Sequence, residues 1–208
     1  DGMQVDELLP YLKEHRTELA EQIRGGKYKP NPVRRVEIPK EEKGKIRKLG
    51  VPTVVDRVIK QAVAQELTPI SEEQLSENSF GFRPRKGAHD ALKKCREYAG
   101  EGYVYAVNMD LQSCFDTASH SKIIEVMSRT VKDGRVIPLI HKYLRAGVME
   151  DGASQPTEEG VPQGGPLSPL CGNIMLNGLD RELERRGHKF VRYADGCMIM
   201  CRSKKSAE

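Results

Sequence analysis

The chain has 208 residues, and its 34 Lys and Arg against 30 Asp and Glu give a formal net charge of +4. This length suffices for one large domain or two small ones. No segment reaches the roughly 18–20 apolar residues that a membrane-spanning helix requires, and the N-terminus lacks the basic and apolar regions of a signal peptide. These features exclude an integral membrane protein and predict a cytoplasmic one.

The charge is unevenly distributed along the chain. Residues 1–23 carry two basic and six acidic side chains, whereas residues 24–60 carry twelve basic and four acidic ones. Since phosphate binding depends on local basic patches, the second segment is compatible with a nucleic-acid partner. Lys and Arg that only solvate the surface explain it equally well. The five cysteines are scattered without a CxxC pair, which favours reduced thiols over zinc or disulfides.

The first part of the chain predicts a helix, two strands and a second helix. Apolar residues at helical spacing over 5–23 predict the first helix. Alternation over 33–38 predicts a strand, and a charged turn then leads to a second strand near 48–51. The apolar face over 54–67 predicts the second helix, which Pro69 is expected to close.

The middle of the chain continues with a Gly/Pro/Arg-rich loop over 79–87 and a helix over 88–98. The mostly apolar run over 103–109 predicts a short buried strand. Residues 121–146 are predicted to be largely helical, with an internal break at Pro138.

The C-terminal part contains a Gly/Pro segment over 160–170, a helix over 171–186 and a β-hairpin. The hairpin strands are predicted over 190–193 and 197–201, around Ala194-Asp195-Gly196. Strands and helices without regular βαβ alternation indicate an α+β fold.

Two carboxylates stand where a metal ion could be held. Asp110 follows the predicted buried strand, and Asp195 lies at the predicted hairpin tip. Mg²⁺ prefers hard oxygen ligands, and two-metal phosphoryl transfer requires neighbouring carboxylates. The alternatives remain open, because Asp110 could only cap a turn and Asp-Gly is itself a strong hairpin signal.

Two loops offer further candidates for ligand contact. The loop over 160–170 lets the backbone approach a ligand closely, and Gln163 offers it a polar side chain. The loop over 79–87 interleaves two aromatic residues with Arg83, Arg85 and Lys86, which suits a nucleic-acid backbone. A complex turn and a solvated loop with an apolar anchor are the respective alternatives.

Taken together and in order, these segments resemble the reverse transcriptase region of group II intron-encoded proteins, which combine reverse transcriptase and splicing maturase activities. The resemblance extends from about residue 33 to 200, and FGFRP followed by PQGGPLSPL is its most specific part. The matching segments are RRVEIPK, RKLGVPTVVDRVIKQAV, SFGFRPRKGAHDAL, MDLQSCFDT, GVPQGGPLSPLCGNIMLNGLD and FVRYADG.

The resemblance implies the fingers and palm of a right-hand polymerase fold, with an antiparallel palm sheet packed on helices. Residues 1–88 and 118–163 would form the fingers, and residues 89–117 and 164–208 the palm. The thumb and maturase regions of the family would be absent.

The resemblance also implies roles for individual residues. Asp110 and Asp195, with Leu111 beside them, would hold Mg²⁺. The residues matching nucleotide-binding positions are Lys40, Arg47, Phe115, Gln163 and Ala194. Those matching RNA-binding positions are Arg34, Arg35, Arg83, Arg85 and Lys86.

One position departs from the family pattern. The family's YADD reads YADG here, so Gly196 stands where the third catalytic carboxylate is expected. Glycine cannot ligate a metal through a side chain, which leaves two Mg²⁺ ions poorly held.

The leading hypothesis is therefore a maturase-type domain that binds group II intron RNA and promotes splicing, with weak or lost polymerase activity. An active RNA-directed DNA polymerase used in intron mobility, with a DNA primer or cDNA as a further partner, is the alternative. A structural protein that kept only the fold is a third. No membrane partner is expected, and a homodimer is left open.

Overall fold

The computed structural model of the chain describes residues 2–39, 44, 46–111, 115, 117–150 and 152–208. Lys40, predicted to bind the nucleotide, lies outside the described residues. The chain forms two compact units, one of Asp1–Leu67 with Phe115–Ser168 and one of Thr68–Cys114 with Pro169–Glu208. The division into fingers and palm at residues 88, 117 and 163 stays a prediction.

The helices are mostly those that the apolar spacing predicted. They are α1 (Leu8–Arg24), α2 (Val54–Glu72), α3 (Ala88–Gly100), α4 (His120–Thr130), α5 (Val136–Arg145), α6 (Ser168–Arg185) and α7 (Lys204–Ala207). The strands are β1 (Val33–Pro39), β2 (Ile46–Val51), β3 (Tyr105–Asp110), β4 (Val148–Glu150), β5 (Ala153–Gln155), β6 (Lys189–Tyr193) and β7 (Gly196–Cys201). Among the residues that the structure describes, no helix is both long and apolar enough to cross a membrane.

Each unit contains one sheet. The first unit has the strand order β2-β1-β4-β5, with β1 antiparallel to β2 and parallel to β4. The second unit has the antiparallel order β3-β7-β6. The two strands predicted before α2 are present and pair with each other, and the predicted C-terminal hairpin is confirmed.

Both proline predictions were wrong about where a helix is interrupted. Pro69 lies inside α2. Its ring removes one backbone hydrogen bond, and the burial of apolar side chains of the same helix, such as Ile59 and Leu67, offsets that loss. Pro138 lies in the first turn of α5, where a missing N–H costs nothing because that N–H has no partner within the helix. The break between α4 and α5 falls at 131–135 instead.

The predicted buried strand is an edge strand. β3 pairs only with β7 in its three-stranded sheet, and its residues are exposed or half-buried. The apolar composition of the run over 103–109 therefore reflects β propensity more than burial. Asp110, at the end of this strand, is accordingly open to solvent.

The sheet of the second unit is packed by helices on both faces. Phe190 and Cys197 point to one face, where Leu183 of α6 packs against them. Val191 points to the other face and packs against Tyr98 of α3. This arrangement confirms the prediction of an antiparallel sheet packed on helices.

The first unit is built around a buried carboxylate on α2. Asp56 is 1% exposed and accepts hydrogen bonds from the hydroxyls of Tyr28 (2.6 Å) and Tyr143 (3.1 Å). Thr53 and Asn31 donate to its other oxygen. Burial and the nearby Asp56 carboxylate raise the pKa of both tyrosines, so these donors stay protonated at neutral pH.

Replacing Asp56 with alanine should destabilise the protein by about 3 kcal/mol or more, since two buried tyrosine hydroxyls lose their acceptor. The free energy of unfolding in urea measures the effect. Glu66→Ala is the matched control, because Glu66 is an exposed carboxylate on the same helix and its removal should cost little. Equal stabilities of the two variants would contradict the role given to Asp56.

Candidate active site at the β6–β7 turn

The structure brings the two predicted catalytic carboxylates to one end of the second unit's sheet. Asp110, the last residue of β3, pairs directly with Gly196, the first residue of β7. Gly196 pairs in turn with Tyr193, the last residue of β6. Directly opposite residues of antiparallel strands point to the same face, so these three form a row. Asp195 lies in the turn beside the row and is half-buried.

The hairpin turn consists of Ala194 and Asp195, which lie within the predicted Ala194-Asp195-Gly196 segment, so the alternative in which Asp195 and Gly196 form the two-residue turn does not hold. The first of the two turn residues, Ala194, has a φ of 57°. In a two-residue hairpin turn this position favours glycine, so the alanine is held against a conformational cost. Gly196 lies in the strand instead, and its φ is not positive.

Nothing in the local geometry requires a glycine at position 196. A Cβ placed there would lie 3.5 Å from the carbonyl oxygen of Tyr193, an ordinary van der Waals distance. A side chain at this position would project to the face that carries Asp110. Position 196 therefore has room for a Cβ on the face of the sheet that carries Asp110.

Arg192 fixes the conformation of the turn through its side-chain hydrogen bonds. It is fully buried, and its guanidinium forms a bidentate ion pair with the equally buried Asp180 of α6 at 2.8 Å. Its other N–H groups donate to the carbonyl of Ala194 (2.7 Å) and to the side chains of Asn173 and Ser79. All five N–H groups of this arginine are thus used. The sequence analysis missed Arg192, although a cation within an apolar strand was a usable signal.

The FGFRP segment supports the same turn. A Cβ on Gly81 would lie 2.2 Å from the backbone nitrogen of Ala194, so only glycine fits there. Asn173 donates to the carbonyl of Gly81 (2.9 Å), and the Phe80 amide donates to the carbonyl of Arg192 (2.9 Å). The specific feature of this motif is therefore a close approach between two backbones.

Arg83 does not have the solvent-facing position that the RNA-binding prediction required. Its side chain is 2% exposed and pairs with Glu72 through two nitrogens. It also donates to the carbonyls of Ser76 and Ser79. These internal bonds fold the loop, so Arg83 is a structural residue and is not available to a nucleic-acid backbone.

The other cations of this loop differ from each other. Lys86 pairs with Glu77 at 2.8 Å and lies over the ring of Phe80. Arg85 is exposed, as is Phe82. Arg85 and Phe82 both have positive φ values, 60° and 57°, which cost about 1–3 kcal/mol each for residues with side chains.

In the first unit, Phe115 and Gln163 line one cavity of about 280 Å³ together with Arg35 and Lys48. The structure thus brings together two of the predicted nucleotide-binding residues. The Nε of Arg35 is buried there without a hydrogen-bond partner. The cavity is also lined by Glu159, so two cations and one carboxylate give its lining a net positive charge, which suits an anionic group.

Arg34 and Arg47 are exposed on the opposite face of the β1–β2 ladder. Arg47 pairs with Ile38, whereas Lys48 pairs with Glu37, so the two cations point to opposite faces. The prediction grouped Arg47 with Phe115 and Gln163, but Lys48 is the β2 cation in their cavity.

The thiol next to position 196 is not a nucleophile. Burial, followed by the charge of Asp180, raises the pKa of Cys197 to about 11. The thiol therefore stays protonated at neutral pH. Any chemistry at the turn rests on the carboxylates.

The donor set fits a divalent cation only in part. Within the described ranges, no group of three or more His, Cys, Asp or Glu side chains is placed to hold a metal. Asp110 and Asp195 supply the one or two carboxylates that a single Mg²⁺ usually takes from a protein. A pair of ions bridging a reacting phosphate would require more negative charge than these two provide.

Comparison with known proteins shows the family to which the chain belongs. A family model described as "Reverse transcriptase (RNA-dependent DNA polymerase)" matches residues 38–208. Protein YkfC of Escherichia coli is 38% identical over 175 residues, which are 81% of this chain and 45% of that protein. The group II intron-encoded protein LtrA of Lactococcus lactis is 37% identical over 182 residues, 88% of this chain and 30% of LtrA. The chain thus spans less than half the length of these relatives.

Solved structures show the same fold. A telomerase from Candida albicans, solved with a fragment of telomeric RNA, superposes with a TM-score of 0.64 at 12% identity. The match covers 93% of this chain and 42% of that one. The predicted α+β class and the reverse transcriptase fold are therefore confirmed.

The close approach at Gly81 yields a test of the turn. Gly81→Ala should lower the melting temperature by several degrees, because the new Cβ displaces the backbone at Ala194. Gly100→Ala is the control, since a Cβ at Gly100 meets nothing within 4 Å. Thermal unfolding followed by circular dichroism measures both, and an unchanged Gly81 variant would refute the contact.

Proposed function

The chain belongs to the reverse transcriptase family, and on that premise we propose that it is a maturase-type domain that binds group II intron RNA and promotes its splicing. Its polymerase activity is reduced by the glycine at position 196. The proposal of reduced polymerase activity is based on the row of Asp110, Gly196 and Tyr193. The central position of this row has room for a Cβ, but a glycine occupies it.

The proposed RNA partner is supported by the similarity to LtrA and by the exposed cations of the basic segment 24–60. LtrA is named as a group II intron-encoded protein, and it matches 88% of this chain. Arg34, Arg47 and Arg57 are exposed within the basic segment 24–60. Exposed cations gathered in one segment can neutralise several phosphates of a structured RNA.

The proposed cofactor is Mg²⁺, and Asp110 and Asp195 are the residues that would hold it. When bound, the ion would supply charge neutralisation at a phosphate. The protein's own contribution is to place Asp110 at the sheet end through its pairing with Gly196, and to fix the turn that carries Asp195 through the contacts of Arg192 and Gly81 with Ala194. With Gly196 between them, the site is one negative charge short of the family pattern.

The proposed reduction of polymerase activity can be tested by restoring a carboxylate at position 196. Gly196→Asp should raise Mg²⁺-dependent primer extension on an RNA template by about 10-fold or more, because the third carboxylate adds a ligand where the backbone already permits one. The measurement is made on the 208-residue chain.

Gly100→Asp is the matched control for this gain. It adds the same carboxylate to the second unit, at an open position away from the β6–β7 turn. It should leave extension unchanged. Robust extension by the unaltered chain would overturn the proposal of reduced activity.

An active polymerase remains a second candidate function, favoured by the retention of both Asp110 and Asp195. A single Mg²⁺ with phosphate oxygens and water needs no third carboxylate. Asp110→Ala separates the candidates, because it should abolish extension by an active enzyme and leave most RNA binding intact.

RNA binding should depend strongly on salt. The logarithm of the binding constant for a structured intron RNA should fall linearly with the logarithm of salt concentration. Arg47→Gln should reduce that slope by about 1 and weaken binding. Arg16→Gln removes an exposed arginine of α1, from the acidic segment 1–23, and should change neither. Binding that ignores salt would contradict the proposed partner.

A further inference from the structure

Backbone strain is concentrated at one place in the second unit. Among the described residues, the non-glycine residues with positive φ are Phe82, Arg85 and Ala194. Phe82 follows Gly81, whose backbone touches that of Ala194. All three strained residues therefore lie in two adjoining segments, the loop over 79–87 and the β6–β7 turn.

The strain in the loop is imposed by strong anchors. Gly81 and Arg83, on either side of Phe82, are both buried. Arg83 is fixed by its ion pair with Glu72, and the carbonyl of Gly81 accepts a hydrogen bond from Asn173. With both neighbours fixed, the backbone at Phe82 has no freedom to relax. Strain that is over-determined in this way is characteristic of functional sites.

The two strained residues of the loop, Phe82 and Arg85, are exposed to solvent. The side chain of Phe82 is among the most exposed apolar ones in the unit, with 59% of the residue accessible to solvent. Arg85, three residues later, is also exposed. The loop therefore gains no core packing from the ring that it strains to present.

The chemistry of the pair favours a nucleotide as the occupant. An exposed aromatic face stacks on any base, and a nearby guanidinium pairs with phosphate. The adjoining turn carries Asp195, one of the two residues proposed to hold Mg²⁺ at a phosphate, so RNA bound at that site would lie next to the loop. An apolar protein partner would leave Arg85 without a counter-charge.

We propose that Phe82 is a stacking platform for an unpaired base of bound RNA, with Arg85 holding the adjacent phosphate. The inference rests on the proposed RNA-binding function and refines it, because it names the base contact at the turn. Within the FGFRP segment, the RNA contact is thereby assigned to Phe82 and not to Arg83, whose side chain folds the loop.

The experiment compares single-stranded and duplex RNA of equal length, labelled with a fluorophore, in binding to the 208-residue chain. Phe82→Ala should weaken single-stranded binding by about 5- to 150-fold, the range for one lost base stack, and duplex binding much less. Phe82→Tyr keeps the ring and should bind normally. Arg85→Gln should lower the salt slope by about 0.7, the value for one phosphate contact in a single strand.

Phe82→Gly distinguishes a functional ring from a structural one. Glycine tolerates the positive φ at no cost, so this variant should melt at a higher temperature than the unaltered chain and still bind single strands as weakly as Phe82→Ala. Leu92→Ala is the control, because Leu92 is an equally exposed apolar residue, 62% accessible, on α3 of the same unit. It should leave binding unchanged.

The outcomes separate the two proposals. If the unaltered chain binds neither RNA, the proposed function and this inference both fail. If the unaltered chain binds RNA, and Phe82→Ala and Phe82→Gly bind single strands as tightly as the unaltered chain does, only the stacking platform is refuted. An equal loss for single strands and duplex would also refute it, because a stack on an unpaired base discriminates between them.

Discussion

Arg192 lies in an apolar strand with no exposed surface, and each of its N–H groups donates a hydrogen bond. A guanidinium withdrawn from water loses much of its hydration free energy, so such burial is tolerable only with complete pairing. Its acceptors come from α6, from the loop over 79–87 and from the turn itself. Three segments distant in sequence are therefore held in one arrangement, and the positions of Asp195 and Ala194 follow from it.

Local patterns predicted most helices and strands because each depends on a short periodicity of apolar residues. The incorrect predictions concern residues whose effect depends on their position within a helix, or strands whose burial depends on their position within a sheet. Pro69 and Pro138 were both expected to break helices, but the first is outweighed by packing and the second lies where its N–H is not needed. The edge position of β3 was not predictable from its composition, since strand order depends on β7, almost ninety residues later.

The candidate site was predictable to the extent that motifs mark it. Asp110 and Asp195 were identified from motif order, and the structure places them at one sheet end. Arg83 was assigned to RNA because its charge is visible in the sequence. Its ion pair with Glu72 of α2 is visible only in the structure. The contact between Gly81 and Ala194 joins residues more than a hundred positions apart, and no local pattern reveals such a contact.

The contacts that position the turn are distinct from the carboxylates that give the site its charge. The buried ion pair of Arg192, the close approach of Gly81 and the positive φ of Ala194 all cost free energy, and all are present. The third carboxylate is different, because position 196 needs no side chain for packing. Without a bound cation, three carboxylates at one sheet end would repel each other and any approaching phosphate. On the proposed function, the glycine at 196 therefore weakens metal binding and favours RNA at the same site, while the scaffold that places Phe82 beside the turn is retained.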